Sequence, residues 1–365
     1  PERDYLVFVG AEAVDRISLV RFGAGGGRIE REHEIGLNRA EPDGPHGLGV
    51  SPDGVHYYVS TGHGTPFGYL WKLRTEDSQV VGRVELGLFP ASLQVSPDNH
   101  YVYVVNFNLH GEMVPSSVSI VDAGSMLEVA RLQTCTMPHG SRTNPQGTRH
   151  YSACMMDDLL VEIDTREFEV SRHFLLTRGR EHGMQGAPRA HGGHAQAQAA
   201  AHAGHSMEPA PAGTTQCSPT WAATSHDGAR VYVACTASND IIEIDAERWT
   251  LLRRIPAGEG VYNLAATHDG RLLVATNKRG RSVSVFDIAS GRELARIETV
   301  RPVVHGVAIS DDSRYAFISV EGRGSEPGTV EMIDLRALAR VAHVDVGQMA
   351  GGIDFWKSEA RREGR

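Results

Sequence analysis

No stretch of eighteen consecutive apolar residues occurs in this 365-residue chain, so a membrane-spanning helix is not expected. Positive charge is in deficit: 36 Lys and Arg face 45 Asp and Glu, a net charge of −9 with histidine neutral. The electrostatic footprint of a nucleic-acid binder is therefore missing. Lysine is nearly absent, at 3 residues against 33 arginines, which reads as a compositional bias of the source genome. Cysteine is limited to four residues with no Cys-x-x-Cys pair, which excludes a zinc ribbon or a thioredoxin-type redox motif. Neither a phosphate-cradling glycine loop nor a Ser-His-Asp or Cys-His nucleophile arrangement can be read. A signal peptide is not visible either. The chain begins Pro1-Glu2-Arg3 and enters a strand almost at once, which suggests a mature or trimmed N-terminus.

What is present is ample apolar material, 41% hydrophobic against 22% charged, enough for a large core. Length alone suggests two domains, but repeat folds escape that prior because each unit buries its face on the next. A repeat is evident. Six tetrapeptides punctuate the chain: Ser51-Pro52-Asp53-Gly54, Ser96-Pro97-Asp98-Asn99, Asn144-Pro145-Gln146-Gly147, Ser225-His226-Asp227-Gly228, Thr267-His268-Asp269-Gly270 and Ser310-Asp311-Asp312-Ser313. Their first residues lie 45, 48, 81, 42 and 43 positions apart. Four of these intervals fit one propeller blade, and the longest fits one blade plus an insertion.

Each tetrapeptide predicts a tight turn, with proline presetting φ and Asp-Gly or Asp-Asn tolerating a left-handed residue. A short apolar segment precedes each turn and a β-branched strand follows, as in Tyr101-Val102-Tyr103-Val104-Val105. A third strand usually ends in aspartate (Asp122, Asp245, Asp287, Asp334), and a fourth alternates arginine with aliphatics, as in Leu251-Leu252-Arg253-Arg254-Ile255. Four such strands make a blade. Residues 5–37 read as strands two to four without a first, and residues 351–356 as a first strand with nothing after it. Joined, they complete a seventh blade. The expected fold is all-β: one seven-bladed propeller domain over residues 1–365, closed by N-terminal strands pairing with the C-terminal strand, with a His/Ala/Gly-rich insertion at about 178–216.

The Ser-Pro-Asp-Gly turns followed by Tyr-Val strands resemble the YVTN-type β-propeller repeat proteins, which are bacterial and often exported. The resemblance covers nearly the whole chain outside the insertion. It implies the fold and a periplasmic or secreted location. It leaves function open, because members include lactonase-like enzymes, metal carriers, electron-transfer subunits and surface proteins. Two copper enzymes, nitrous-oxide reductase and thiocyanate dehydrogenase, offer an architectural analogy: propellers with histidines around the axis.

Residues just before strand one and at the end of strand two ring one mouth of a propeller channel. Aligning the repeats five positions before the turn gives the column His46, Ala91, His139, Thr220, Tyr262, His305 and Gly351. Three entries are histidine, each followed by glycine. The ends of the second strands add His63, Asn106, Asn108, Met155, Asp157, Asn277, Lys278 and Glu321. Imidazoles converging with carboxylates or amides suit Zn²⁺ or Cu²⁺, so His46, His63, His139 and His305 are the expected ligands of a copper or zinc ion. Asp157, Glu321 and Asn277 are the expected partners of their second nitrogens.

Within the insertion, His191 and His194, then His202 and His205, sit three apart, with His182, Met184 and Met207 nearby. The spacing suits capture of a soft or borderline cation by His182, His191, His194, His202, His205 and Met207, in a lid over the mouth. A passive linker of biased composition is the alternative. Cys135, Cys154, Cys217 and Cys235 all fall on one sector, in the fourth and fifth blades. They read as buried small residues, as disulfide partners in an exported protein, or as thiolate ligands.

The leading expectation is a metal-binding propeller acting as a copper oxidoreductase or a metal carrier, with the ion, a small substrate or a metal-delivery protein as partner. The alternatives are a lactonase-type hydrolase, whose metal would rest on carboxylates such as Glu321, Asp157 and Glu12, and a non-catalytic interaction scaffold.

Overall fold

In the computed structural model, which describes residues 1–37, 41–63, 67–188 and 216–361, seven sheets succeed one another around a central channel. The innermost strands are Ala350–Ala360, Pro45–Val50, Pro90–Val95, Pro138–Thr143, Pro219–Thr224, Val261–Ala266 and Val303–Ile309, one per blade, counted from the composite blade as first. All six tetrapeptides form the same turn, the fourth residue's N–H donating to the carbonyl of the first at 2.7–2.9 Å. That fourth residue is left-handed in each, from φ 56° at Ser313 to φ 74° at Gly228, which is why glycine or asparagine recurs there.

Closure is as the termini imply. Strand Ala350–Ala360 pairs antiparallel with Arg3–Ala11, which continues through Arg16–Gly23 to Gly26–Glu34. The outermost strand of each blade remains as a short edge at the rim, and closure joins the two termini in one sheet. Arg21 fastens this seam. Its guanidinium is 2% exposed and reaches Asp4 (3.1 Å), Glu30 (3.0 Å) and Glu359 (2.7 Å), on three different strands. Hydrogen bonds to these carboxylates outweigh burial and raise its pKa. Arg21→Met removes a buried cation while leaving its carboxylates behind, so it is expected to cost about 3–5 kcal/mol in denaturant unfolding. The exposed Arg74–Asp77 pair sets the baseline: solvent screens it, so Arg74→Met should cost far less than Arg21→Met. Equal costs would show that the seam does not depend on Arg21.

The middle strands are buried along their length, while the outermost alternate exposed and half-buried residues. The arginines of the outer strands cover glutamates of the third strands. Arg172 reaches Glu162 (2.6 Å), Arg253 reaches Glu243, and Arg340 reaches Glu331 (3.1 Å). Each also donates to a backbone carbonyl of an adjacent blade, at Ala246, Ile288 and Glu298 respectively. Between blades lie apolar clusters such as Tyr5, Val7, Phe22, Phe317 and Met332, each fully buried side chain contributing roughly 1.5–3 kcal/mol.

One feature departs from the sequence reading. Of the segment read as insertion, His182–Gln185 forms a fifth strand on the outer edge of the fourth blade, paired with Glu169–Leu175. His182 is exposed there, with Nδ1 2.7 Å from the Arg180 carbonyl. His191, His194, His202, His205 and Met207 lie outside the described residues. The cysteines follow one of the readings the sequence leaves open, disulfide pairing: Cys135 is bonded to Cys154 and Cys217 to Cys235. Cys135 lies at the end of the outermost strand of the third blade, Leu127–Thr136, and is joined to the second strand of the fourth, while Cys217 precedes the first strand of the fifth blade and is joined to its second. No thiol remains as a metal ligand. Among the described residues, no helix is long and apolar enough to cross a membrane.

Candidate functional site at the channel mouth

The residues of the histidine column are aimed by two local devices. In six blades, a residue at or just before the start of the inner strand is left-handed: Gly44, Phe89, Met137, Ser218, Gly260 and Met349, with φ between 47° and 64°. The backbone then swings the next residues toward the axis. Hydroxyls from neighbouring strands hold them there: Ser92 donates to the His139 carbonyl, Thr220 to Tyr262 (2.8 Å), Thr276 to His305 (3.0 Å) and Ser319 to Gly351. The glycines after His46 and His305 donate their N–H to Ser60 and Ser319, each at 2.9 Å.

His46, His139 and His305 converge. The ring of His46 lies 6.0 Å from that of His139 and 5.7 Å from that of His305, centre to centre. Glu12 joins them from the short 3-10 turn Glu12–Val14 after the second strand of the composite blade. Its Oε1 lies 2.8 Å from His46 Nδ1 and its Oε2 lies 3.0 Å from His63 Nε2. The contact with His46 is close but not aligned as a hydrogen bond. Ligand atoms of Glu12, His46 and His305 all lie within 4.8 Å of one another.

His139 is committed elsewhere. Its Nδ1 lies 2.9 Å from the Thr220 carbonyl and its Nε2 lies 3.0 Å from the Tyr262 hydroxyl. A carbonyl can only accept, so Nδ1 carries the proton. Burial, with His46 and Lys278 adding to it, pushes the pKa of His139 down to about 3, so the ring is neutral and Nε2 accepts from Tyr262. The same hydroxyl lies 3.4 Å from His305 Nε2. Burial also holds His305 well below the ordinary imidazole range.

Lys278 and Glu321 complete the cluster. Lys278 Nζ lies 3.3 Å from Glu321 Oε1 and 4.4 Å from the centre of the Tyr262 ring. Burial opposes the ammonium, but Glu321, Tyr262 and Glu12 outweigh it and lift its pKa to about 12. Burial raises Glu321 above the usual carboxylate range, against the pull of Lys278. None of Glu12, His46, His139, Tyr262, Lys278, His305 and Glu321 is more than 8% exposed. His63 stands at the rim, its side chain 23% exposed, its ring 4.7 Å from Phe89 and 5.6 Å from His110. Phe89, Phe107, Met137 and Met155 form an apolar wall beside it.

The residues named from sequence thus divide. His46, His305, Lys278 and Glu321 meet; His139 joins through Tyr262 and His63 through Glu12. Asn106 and Asn277 donate to serines of their own blades (Ser117 and Ser119; Ser282 and Ser284). Asn108 donates to the Glu112 carbonyl, and Asp157 accepts from the Thr136 N–H at 2.6 Å. The partners of the histidines are therefore Glu12 and a carbonyl rather than Asp157 or Asn277. Glu12 was weighed only as a third carboxylate, yet the column held its trace: a Cβ at Gly351 would lie 2.6 Å from Glu12 Oε1. The column residue of the composite blade is vacant so that Glu12 can fill its place.

No protein-family model matches the chain, and neither does any curated protein. Solved structures do match. A periplasmic gluconolactonase of Pseudomonas aeruginosa is 18% identical with a TM-score of 0.69, covering 96% of this chain and 99% of its own. A putative 6-phosphogluconolactonase from Bacteroides uniformis is 14% identical with a TM-score of 0.68, covering 97% and 100%. A functionally unknown protein from Desulfotomaculum acetoxidans is 15% identical with a TM-score of 0.68, covering 96% and 98%. Likeness at this identity establishes the fold, and the narrower YVTN repeat family is not supported by a family model. A hydrazine synthase of Kuenenia stuttgartiensis also matches, 18% identical with a TM-score of 0.62 over 86% of this chain and 90% of its own, while the two better-covered structures with a stated activity are described as lactonases. That finding overturns the expectation of a copper oxidoreductase or metal carrier and favours the hydrolase alternative.

Proposed function

We propose that the chain is a lactonase-like hydrolase whose reaction takes place at the channel mouth. The buried grouping of Glu12, His46 and His305 opposite the Lys278–Glu321 pair carries this reading, and the likeness to lactonase structures selects the reaction among those the grouping could serve. Two histidines and a glutamate form a donor set used by catalytic zinc sites. The carboxyl groups of Glu12 and Glu321 face the one ammonium of Lys278, so acidic groups outnumber the fixed cation of the cluster. Ligands of a tetrahedral zinc stand about 3.4 Å apart for bonds of about 2.1 Å, so the widest pair, within 4.8 Å here, would close by up to ~1.4 Å. A zinc ion held by Glu12, His46 and His305 would polarise the lactone carbonyl and make a bound water acidic.

The other side chains have distinct tasks. His63, on the second oxygen of Glu12, fixes the orientation of that carboxylate. The Lys278 ammonium, kept protonated, is a preorganised donor for the negative charge that develops on oxygen as the ring opens. Tyr262 is locked by His139 and forms the floor between Lys278 and His305. The apolar wall of Phe89, Phe107 and Met155 sheds water from one side of the site. The two disulfides support an oxidising compartment, periplasmic or extracellular.

The test is to purify the protein without a polyhistidine tag, measure zinc by elemental analysis, and follow proton release from aldonolactones and from acidic sugar lactones. About one zinc per chain is expected. Hydrolysis should exceed the spontaneous rate, fall on chelation and return with zinc. Zinc-loaded protein that hydrolyses none of these lactones above background would overturn the reading.

A further inference from the structure

Beneath the His/Glu layer the channel contains a cavity of about 30 Å³, bounded by His46 and His305 and, deeper, by Ser92, Arg142, Trp221 and Asn263. That is room for about two waters or one group of three or four heavy atoms. Arg142 stands on the same inner strand as His139, three residues further in. The corresponding positions in the other blades are Gly49, Gln94, Ala223, Ala265, Ala308 and Asp354, so this layer has one cation among mostly small residues.

The guanidinium is poorly provided for. Among the described residues its one hydrogen bond runs from Nη1 to the carbonyl of its neighbour Ser141, at 2.8 Å, and it forms no ion pair. Its plane is backed by Trp221, 4.8 Å away, an indole that fits only because residue 140 is glycine, whose Cβ would lie 2.4 Å from the ring. Asp354 in the same layer attracts the guanidinium through space without pairing with it; its two oxygens accept the N–H groups of Val50 (2.8 Å) and Phe355 (2.9 Å). A guanidinium has five N–H donors, and four of them face no protein acceptor. Trp221 Nε1 is likewise buried without a partner. Arg142 is half-buried at the channel, and its unpaired donors are satisfied best by something in the cavity that accepts their hydrogen bonds. Planar, bidentate acceptors are what a guanidinium fork fits best.

We propose that Arg142 binds a carboxylate in this cavity, either a small free anion or the acidic end of a longer ligand that enters past His46 and His305. In the second case the substrate would be a lactone bearing a carboxylate away from its ring carbonyl. That extension rests on the hydrolase reading; the anion site itself does not.

Calorimetric titration with sodium formate in chloride-free buffer tests the site. Saturable binding is expected for the wild type, at least tenfold weaker binding for Arg142→Lys and none for Arg142→Met. In the wild type alone, formate should bind and bulky pivalate should not, a comparison that stands even if Arg142→Met fails to fold. An aldarate that displaces formate would identify the acidic end of a ligand, and formate binding without displacement a free anion. In hydrolysis, Arg142→Met should erase any preference for acidic over neutral lactones. No saturable formate binding, unchanged binding in Arg142→Met, or equal binding of pivalate would overturn the site. Formate binding without lactone hydrolysis would retain the site and discard the hydrolase reading.

Discussion

Glu12→Gln is expected to empty the cation site and to lower kcat/KM for lactone hydrolysis by about a thousandfold, roughly 4 kcal/mol of transition-state stabilisation. The substitution preserves volume and removes only the charge. Among the described residues, Glu12 is the carboxylate within reach of both His46 (2.8 Å) and His63 (3.0 Å). An amide is a poor zinc ligand, and its nitrogen would face His46 or His63 where an oxygen now does. Zinc content should fall from about one per chain to near none, with the thermal transition otherwise preserved. Asp157→Asn is the control. That carboxylate was an attractive ligand from its place in sequence, but it accepts the Thr136 N–H outside the cluster, so its variant should keep activity within about threefold. Full zinc and near-normal turnover in Glu12→Gln would remove Glu12 from the chemistry and the proposed cation with it.

The contrast between Glu12 and Asp157 shows where sequence reading succeeds and where it stops. Blade count and closure were legible because each turn has a chemical requirement, the left-handed fourth residue, that recurs at blade spacing. The column of His46, His139 and His305 was legible for the same reason, since equivalent inner-strand positions face one axis. Tyr262 stood in that column but carried no obvious role until its hydroxyl was placed between two imidazoles. Glu12 holds the same second-strand-end position as Met155 and Lys278, its N–H donating to the left-handed residue before the inner strand as theirs do, and that position is what offers it as a candidate carboxylate. Its central place in the cluster shows in sequence only through the glycine opposite it. The cysteine pairing was open for a different reason: four residues on one sector allow three connectivities, and only strand adjacency selects between them. The fifth strand His182–Gln185 has little strand pattern of its own and is held by its neighbour's edge. Function was the least legible, since histidines around a channel serve redox, transport and hydrolytic chemistry alike, and comparison with other propellers was needed to choose.

Acid should destabilise this protein in a window where most carboxylates are still ionised. His139 and His150 are wholly enclosed, and burial lowers the pKa of each to about 3. His150 is remote from the channel mouth, stacked on Tyr103 at 4.5 Å with Nδ1 2.9 Å from Thr143 Oγ1. In the unfolded chain both imidazoles titrate near 6.5. Below that pH the unfolded state binds protons that the folded state cannot, so stability is full above about 6.5 and is lost as pH falls toward 3. By pH 5 each of these two groups should have cost about 2 kcal/mol, or about 4 kcal/mol together, and His305, also held low by burial, adds loss of the same sign. Glu321 and Asp354 act with the opposite sign, because burial raises their pKa and protonation favours the folded state. The net loss between pH 7 and pH 5 is therefore expected at roughly 2–4 kcal/mol by denaturant unfolding. His150→Asn isolates one term, since an amide keeps a polar partner for Thr143 but does not titrate. Its stability should fall less steeply with pH than the wild type's, by about 1.4 kcal/mol per pH unit between 6 and 4. Identical slopes in the two proteins, or a wild type as stable at pH 5 as at pH 7, would mean that the imidazole of His150 gains protons in the folded state and is not sealed from water.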